Sequence, residues 1–312
     1  MPELPEVETV RRMLATTVVG RTIRAVRLSG AALRARVAGS FPRRLRGRRF
    51  TGTDRYGKYL LLHLDTGLTL LSHLGMSGRW LFFPGPPAPE LPHVHARVQL
   101  ADGAELWFQD PRRFGLLRLV ATDRVRRDPA LAALGPDPMT ARLSGADLRA
   151  RARGLRASVK SFLLDQRRLA GIGNIYASEI LFRAGVDPRR RAGALRPSEW
   201  EAIAAVVPAV LGEALERMGT TFSTYRTIWN EPGQFAERLA VYDRAGEPCR
   251  RCGTPIRRIV QGQRSTFFCP ACQVGSRRGS RHPWRVPVYR GARPPGPDRR
   301  PRKEEPCGRE TS

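Results

Sequence analysis

Four cysteines near the C-terminal end constrain the fold of this chain more than any other feature. They are Cys249, Cys252, Cys269 and Cys272, with two residues inside each pair and sixteen between the pairs. This spacing is typical of four thiolates around one structural zinc, with no coordination position left for catalysis. The alternative is disulfide bonding, which a reducing compartment disfavours and which no other cysteine-rich framework supports. We therefore predict one structural zinc ion.

The residues between the two cysteine pairs alternate as β-strands do, over 256–260 and 265–268. This pattern predicts a two-stranded ribbon stapled by the metal, with Arg264 at its tip. Such an arginine could enter a groove of DNA, although a solvated side chain is the alternative. Cys307 lies outside the spacing and is predicted to be unpaired.

The N-terminus, Met1-Pro2-Glu3, is the first candidate catalytic site. A methionine followed by a small residue is normally removed, which would leave Pro2 as a free secondary amine. An α-amino group titrates at about 7.7 to 8.0, against about 10.4 for lysine, so part of it is nucleophilic at neutral pH. Such an amine can form an iminium with a sugar, and Glu3 is placed to donate a proton. The alternative is that Pro2 merely precedes a helix.

The charge of the chain indicates a polyanionic partner. Lys and Arg number 55 and Asp and Glu 28, for a net charge of +27 and a pI near 11.5. Residues 273–312 account for +7 of this, so the preceding 272 residues still carry +20. A basic folded region of this kind is expected to bind nucleic acid. Only Lys58, Lys160 and Lys303 are lysines, so each lysine is a candidate for a specific role.

No apolar run approaches the roughly 18 residues of a membrane span, and Arg11 and Arg12 interrupt the N-terminal apolar stretch that a secretory signal would need. We predict a monomeric cytoplasmic protein that acts at the nucleoid and has no membrane partner. The length of 312 residues and a hydrophobic content of 41% suit about two domains with real cores.

Periodicity along the chain predicts an α+β protein. A helix begins near Pro5, and strand-like runs with turn signals follow at 22–28, 59–64, 68–74, 97–100 and 104–108, which suggests a β-sandwich whose helix carries the N-terminus. Helical patterns occupy 143–153, 158–164, 175–184 and 197–218. The predicted parts are a β-sandwich domain at 2–121, a linker at 122–144, a helical DNA-binding domain at 145–235, the zinc finger at 236–272 and a disordered basic tail at 273–312.

Five motifs, in order, resemble the successive signatures of the formamidopyrimidine-DNA glycosylase family. They are the N-terminal run from Met1 to Thr9, His73-Leu74-Gly75-Met76-Ser77-Gly78, Asp110-Pro111-Arg112-Arg113-Phe114-Gly115, the run from Gly171 to Glu179, and Gly246-Glu247-Pro248-Cys249. The resemblance covers about residues 2–272. It implies that the helical domain is a helix-two-turn-helix module and that the partner is damaged double-stranded DNA.

The resemblance also implies a mechanism. Pro2 would attack the C1′ carbon of the damaged nucleotide, displace the base and form a Schiff base, while Glu3 protonates the sugar ring oxygen. β- and then δ-elimination would cut the strand on both sides of the lost sugar. Lys58 matches the lysine linked to β-elimination and to a nearby phosphate, and Arg264 matches the arginine linked to δ-elimination.

Other motif positions match family DNA contacts. Met76, Arg112 and Phe114 would fill the gap left when the nucleotide is rotated out of the duplex. For Met76 and Phe114 the alternative is core packing. His73 and Asn174 resemble phosphate contacts, and the amides near Gly171 and Gly173, at a helix start, form a natural anion site. His93 and Arg156 match further DNA-contact positions.

The segment 220–235 corresponds to the loop that covers the extruded base, and Tyr225, Trp229 and Asn230 make its sequence unusual. The sequence of this loop therefore bears on the preference for oxidised guanine and not on the chemistry. Two alternatives stay open: an endonuclease VIII-like glycosylase for oxidised pyrimidines, against which Leu4 argues because those proteins typically have glycine there, and a non-catalytic zinc-containing DNA-binding protein, against which Pro2, Glu3 and Lys58 argue.

Overall fold

A helix and two antiparallel sheets form the first part of the chain. The computed structural model describes residues 1–86, 90–222 and 224–274. The elements in order are α1 (Leu4–Thr17), β1 (Ile23–Leu28), α2 (Phe41–Leu45), β2 (Phe50–Tyr56), β3 (Tyr59–Leu64), β4 (Leu68–His73), β5 (Arg79–Phe83), β6 (Val94–Leu100), β7 (Glu105–Gln109) and β8 (Leu116–Ala121). One sheet has the order β1-β6-β7-β5 and the other β2-β3-β4-β8. Their shared core confirms the predicted sandwich.

The hairpins follow the predicted turn signals. Gly67 and Gly103, with φ of +67° and +90°, lie in the turns that join β3 to β4 and β6 to β7. The sequence did not predict β2, β5 or β8. In β2 the pattern is broken by Gly52 and Asp54, residues that strands disfavour, and the register shifts between Phe50 and Gly52.

Helices dominate the second part. They are α3 (Pro129–Ala132), α4 (Gly145–Ala152), α5 (Val159–Leu164), α6 (Asn174–Arg183) and α7 (Pro197–Glu216). Pro197 lies in the first turn of α7, where its missing N–H costs nothing. The predicted linker at 122–144 is ordered, because it contains a 3₁₀ helix at Thr122–Arg127 and the helix α3, and because Asp137 within it is buried. The proposed domain boundaries remain a prediction.

The cysteine-rich region forms the predicted ribbon. Its strands are β9 (Arg257–Gln261) and β10 (Arg264–Phe268), and they pair antiparallel from Arg264 opposite Gln261 to Phe268 opposite Arg257. The predicted tail lies outside the described residues from 275 onward, and so does Cys307.

Each half of the molecule contributes residues to the hydrophobic core of the other half. Leu4, from the first turn of α1, belongs to the core of the helical region. Tyr225 and Ile228, which follow α7 in the chain, belong to the core of the sandwich. Among residues 1–86, 90–222 and 224–274, no helix has the length and apolar character needed to cross a membrane.

Candidate active site and nucleic-acid interface

Glu3 joins the N-terminus to the first turn of α6. Its buried carboxylate accepts hydrogen bonds from the backbone amides of Ile175 at 2.9 Å and Tyr176 at 3.4 Å. A helix N-terminus favours a carboxylate at this position. A Cβ on Gly173 would lie 2.2 Å from Cδ of Glu3, so this approach requires glycine. Glu3 is therefore the anion that the Ile175 and Tyr176 amides bind, and a phosphate contact near Gly171, Gly173 and Asn174 stays a prediction.

Glu6 is a buried carboxyl group that the sequence analysis did not assign to the site. It accepts hydrogen bonds from the Tyr176 hydroxyl, from the Thr220 amide at 2.8 Å and from the Glu3 amide at 2.7 Å. Burial, and then the nearby charge of Glu3, raise the pKa of Glu6 to about 7. It was missed because an acidic residue in the first turn of a helix is already explained by the helix dipole.

We expect the contribution of Glu6 to stability to depend on pH. Its folded-state pKa of about 7 lies above the ordinary value of 4.5, so the folded protein binds the extra proton more tightly. The resulting stabilisation is fully present below about pH 4.5 and is lost as the pH rises through about 7. Glu6→Gln cannot titrate. In urea titrations, the unfolding free energy of wild type should therefore fall relative to that of Glu6→Gln as the pH rises from about 5 to about 8.

Comparing wild type with Glu6→Gln cancels the contributions that the other titrating groups make to the pH dependence of stability. This matters for His73, because burial followed by the charges of Arg34 and Lys58 lower its pKa to about 3, which opposes the effect of Glu6 on stability. A difference between wild type and Glu6→Gln that stays constant over this pH range would contradict titration of Glu6.

Lys58 lies in the tight turn between β2 and β3. Its side chain is buried, and Nζ donates to the carbonyl oxygen of Ile172 at 3.3 Å. Burial lowers the pKa of Lys58, Glu3 raises it and Arg264 lowers it further. The predicted catalytic residues Glu3, Lys58 and Arg264 therefore lie close enough to affect one another electrostatically.

A buried ion-pair network holds the turn before Lys58. Asp137 pairs with Arg55 and accepts from the Gly57 amide at 2.9 Å, while Arg55 also pairs with Glu8 at 3.1 Å. The network joins α1, the β2–β3 turn and the segment before α4. A buried pair of this kind is costly to break because the remaining charge has no partner. Asp137 was not predicted, because its loop sequence suggested only a connection.

The N-terminal amine faces the same charges. Burial is the largest cause lowering the pKa of the Met1 amine, Lys58 and Arg112 lower it further, and Glu3 and Glu6 oppose the shift. Pro2 itself is buried next to Glu3. Removal of Met1 would transfer the free amine to Pro2 in this environment, where a larger unprotonated fraction favours nucleophilic attack.

Two side chains of the helical region hold the ribbon beside the N-terminus. Lys160 Nζ donates to the Ser265 carbonyl at 2.8 Å and to Thr266 Oγ1 at 2.7 Å, and Asn174 Nδ2 donates to the same carbonyl at 3.0 Å. Burial, and then Arg264, lower the pKa of Lys160 to about 8. Ser265 follows Arg264, so these bonds fix the exposed tip arginine. The scarcity of lysines was the one sequence signal for Lys160.

The three predicted gap-filling residues lie on two adjoining loops. Met76 is 38% exposed and Phe114 is 42% exposed, which rules out the core-packing alternative, and the Arg112 guanidinium lies 5.0 Å from the centre of the Phe114 ring. Gly75, at φ +62°, allows close packing because a Cβ there would lie 2.5 Å from the Phe114 carbonyl carbon.

Asp110 ties these loops together. Its buried carboxylate accepts from Ser77 Oγ at 2.6 Å and from the Gly115 amide at 2.7 Å. Ser77 Oγ in turn accepts from the Arg112 amide at 3.1 Å. One aspartate therefore connects the turn after Met76 to both sides of Phe114, a role that the motif containing Asp110 did not predict.

The other predicted DNA-contact residues differ from one another in burial and in hydrogen bonding. His73 is buried, and its Nδ1 accepts from the Gly75 amide at 2.9 Å, so its proton is on Nε2 and it can act as a neutral donor. His93 is exposed beside the loop, and its carbonyl accepts from the Asp110 amide. Arg156 is exposed before α5, and no hydrogen bond or ion pair within the described ranges ties it to the cluster.

The segment with the unusual sequence is docked on the sandwich. The Ile228 carbonyl accepts from the Phe82 amide of β5 at 2.9 Å, and Asn230 Oδ1 accepts from Arg79 at 3.0 Å. The Trp229 ring lies edge-on, 5.3 Å from that of Phe82. Thr224 Oγ1 donates to the Met76 carbonyl at 3.1 Å. The segment thus reaches the gap-filling loop.

The four cysteines fit the predicted metal. Their Sγ atoms all lie within 4.8 Å of one another, with 3.9 Å between Cys249 and Cys272 and 3.5 Å between Cys252 and Cys269. Tetrahedral zinc with bonds of about 2.3 Å separates its sulfur ligands by about 3.8 Å. The four thiolates would complete the coordination of one structural zinc, which would join the two ends of the ribbon.

Comparison with known proteins agrees with this architecture. The formamidopyrimidine-DNA glycosylase N-terminal domain matches residues 1–117, the H2TH domain of the same enzyme matches residues 134–226, and the zinc finger found in FPG and IleRS matches residues 246–274. The formamidopyrimidine-DNA glycosylase of Methylococcus capsulatus is 46% identical over 273 residues, which cover 88% of this chain and all of that protein. The chain belongs to the formamidopyrimidine-DNA glycosylase family.

Solved structures of the family share the fold. The MutM (FPG) protein of Thermus thermophilus is 42% identical with a TM-score of 0.78, covering 87% of this chain and 98% of that one. A Lactococcus lactis Fpg complex with DNA containing an abasic site is 32% identical with a TM-score of 0.81, covering 87% and 99%. These matches confirm the predicted helix-two-turn-helix module and zinc finger.

Proposed function

We propose that this chain is a base excision repair enzyme that removes oxidised purines, 8-oxoguanine and formamidopyrimidines, from double-stranded DNA and then cuts the strand at the abasic site. The observation that carries the proposal is the convergence of the N-terminus, Glu3, Lys58 and Arg264 beside the exposed loop residues Met76 and Phe114. The names of its relatives and the Lactococcus lactis Fpg complexes with Fapy-dG or abasic DNA support the choice of substrate.

Pro2 is the nucleophile in this mechanism. Its nitrogen bonds to C1′, the glycosidic bond breaks with its electron pair leaving on the base, and protonation of the ring oxygen by Glu3 opens the sugar to an iminium. The iminium acidifies the neighbouring C2′, and loss of that proton expels the 3′ phosphate. Lys58 assists this first elimination, and Arg264 stabilises the second, which releases the 5′ phosphate.

The gap-filling loops make the sugar accessible. Rotating a nucleotide out of the duplex costs a few kcal/mol, which side chains entering the vacated stack offset. Met76 acts as the apolar wedge, Phe114 stacks, and Arg112 donates hydrogen bonds to the unpaired base. His73 and Asn174 contact phosphates, and His93 and Arg156 contribute further contacts to the DNA. We infer that the protein acts as a monomer on chromosomal DNA in the cytoplasm.

A comparison of lesions tests the function. Matched duplexes carrying 8-oxoguanine, an oxidised pyrimidine or no lesion are incubated with the protein, and products are resolved on denaturing gels. We expect base release and cuts on both sides of the sugar, fastest with 8-oxoguanine. Faster release of the oxidised pyrimidine would favour the endonuclease VIII-like alternative. Binding of all duplexes with no release would favour the non-catalytic alternative.

Two substitutions should separate phosphate contacts from stacking. Arg264→Ala should weaken binding to damaged and undamaged DNA alike and reduce the salt slope by about 1, because a phosphate contact releases counterions whatever the sequence. Phe114→Ala should leave the salt slope nearly unchanged and slow base removal by the loss of stacking worth about 1 to 3 kcal/mol. Salt titrations of binding and single-turnover excision measure both effects.

The two variants serve as controls for each other, because each should change the quantity that the other preserves. A wild-type salt slope in Arg264→Ala, or undiminished excision by Phe114→Ala, would contradict the assigned roles.

A further inference from the structure

An arginine-rich surface outside the catalytic site has no assigned role. Residues 9–53 contain twelve arginines and no Asp or Glu. Seven of these arginines, here called the arginine strip, lie within one short segment: Arg34, Arg36, Arg43, Arg44, Arg46, Arg48 and Arg49. All seven are exposed, and within the described part of the chain none of their side chains forms an ion pair or hydrogen bond. Uncompensated like charges destabilise the folded state, so an external polyanion would relieve the repulsion.

The strip begins at the candidate DNA site. The Arg34 amide donates to the Gly115 carbonyl at 3.0 Å, next to Phe114. The positive charge of Arg34 also contributes to the lowered pKa of His73, which places its guanidinium near that ring. The first member of the strip therefore lies beside the loops proposed to enter the duplex.

From there the strip follows the chain through α2 to the start of β1. Arg36 and Arg44 line one cavity of about 240 Å³ beside β8. Arg43 and Arg44 lie on α2, whose Phe41 and Leu45 anchor it in the core. The following residues run antiparallel to the start of β1, because the Gly47 amide donates to the Ile23 carbonyl and the Ile23 amide to the Arg48 carbonyl, both at 2.8 Å. The strip thus extends from the site to the edge of the first sheet.

Nearby carboxylates do not neutralise the strip. Asp102 pairs with Arg21 at 2.6 Å, and Asp128 pairs with Arg118 at 2.9 Å. Asp65, whose amide donates to the Arg49 carbonyl, lies at the far end of the strip. The charge along its length remains strongly positive.

We propose that the arginine strip binds the phosphate backbone of the duplex that flanks the lesion, beyond the contacts of the catalytic site. The inference rests on the proposed function, because that function brings duplex DNA to Phe114, where the strip starts. A duplex carries one negative charge per about 1.7 Å of its axis, so DNA leaving the site offers phosphates along the strip. The guanidinium group of arginine binds phosphate through bidentate hydrogen bonds.

The test compares binding to undamaged duplexes of about 30 and about 10 base pairs across a salt series. Arg43→Glu/Arg44→Glu should reduce the salt slope on the long duplex by about 2 and leave the slope on the short duplex unchanged. Arg43→Lys/Arg44→Lys should behave as wild type. Arg124→Glu/Arg127→Glu is the matched control: both are exposed and follow β8 at Ala121, the opposite end from Leu116, which pairs with His73.

The proposal would be overturned by a wild-type salt slope on the long duplex, by an equal loss of slope on both duplexes, or by an equal loss in the control pair. Loss of binding to single-stranded RNA of the same length, with duplex binding intact, would also overturn it. Single-turnover excision from the short damaged duplex at saturating enzyme should stay at the wild-type rate. If the variant loses salt slope only on the long duplex while the wild-type protein excises no base, the result would support DNA binding by the arginine strip and contradict the proposed function.

Discussion

Pro2→Gln is expected to abolish the covalent complex that borohydride traps with duplex DNA containing 8-oxoguanine. A larger second residue retains Met1, so the nitrogen at position 2 stays in a peptide bond and cannot attack C1′, and the free amine lies one residue earlier in the chain. Misplacing a reacting atom by about 1 Å already costs about 10²-fold in rate, so base release should fall by at least that factor. Trapping is measured on denaturing protein gels, beside a mass measurement of each N-terminus.

Pro5→Ala is the matched control, because it changes the other proline of the first turn without changing the terminal amine. It should trap DNA as wild type does. Full trapping by Pro2→Gln, with DNA binding unchanged and Met1 retained, would refute the assignment of the nucleophile. A wild-type protein that keeps Met1 and still excises 8-oxoguanine would refute it as well.

Cys249→Ser should remove the metal and unfold the ribbon. Structural zinc supplies about 10 to 16 kcal/mol in comparable small modules, so loss of one thiolate should melt β9 and β10 while the sandwich keeps its secondary structure. Strand cleavage should fall with it, because Arg264 lies on β10. Elemental analysis should give one zinc per wild-type chain, and circular dichroism should show that most secondary structure survives.

Cys307→Ser provides the control, since that cysteine lies outside the metal spacing. It should keep one zinc. Zinc-free wild-type protein, or full zinc content and a folded ribbon in Cys249→Ser, would contradict the site.

The sequence predicted the features whose signal is local. The cysteine spacing predicted the zinc site, and the alternating residues between the cysteine pairs predicted the ribbon. Glycine-containing turns predicted the hairpins that join β3 to β4 and β6 to β7. The exposure of Met76 and Phe114 agrees with their glycine-flanked motifs. Sequence motifs also selected Glu3, Lys58 and Arg264, whose charges the structure brings close together.

The features that were missed depend on contacts between distant parts of the chain. Asp137 and Arg55 are 82 residues apart, and Lys160 reaches Thr266 across 106 residues. The contact of Glu3 with the α6 amides was not predicted either, because nothing near α6 in the sequence indicates a carboxylate that lies 172 residues earlier in the chain. Periodicity describes single elements, whereas these side chains are placed by the packing of one element on another.

The exchange of core residues between the two halves has a consequence for how the protein can be divided. A fragment ending after β8 would contain Pro2, Glu3, Lys58 and Phe114, yet it would lack the α6 amides that hold Glu3 and the core in which Leu4 is buried. Conversely, the helical half alone would expose Tyr225 and Ile228 to water. Pro2, Glu3 and Lys58 are encoded in one half, whereas the groups that position Glu3, and Arg264 itself, are encoded in the other, so we expect recombination to preserve the enzyme only when both halves are inherited together.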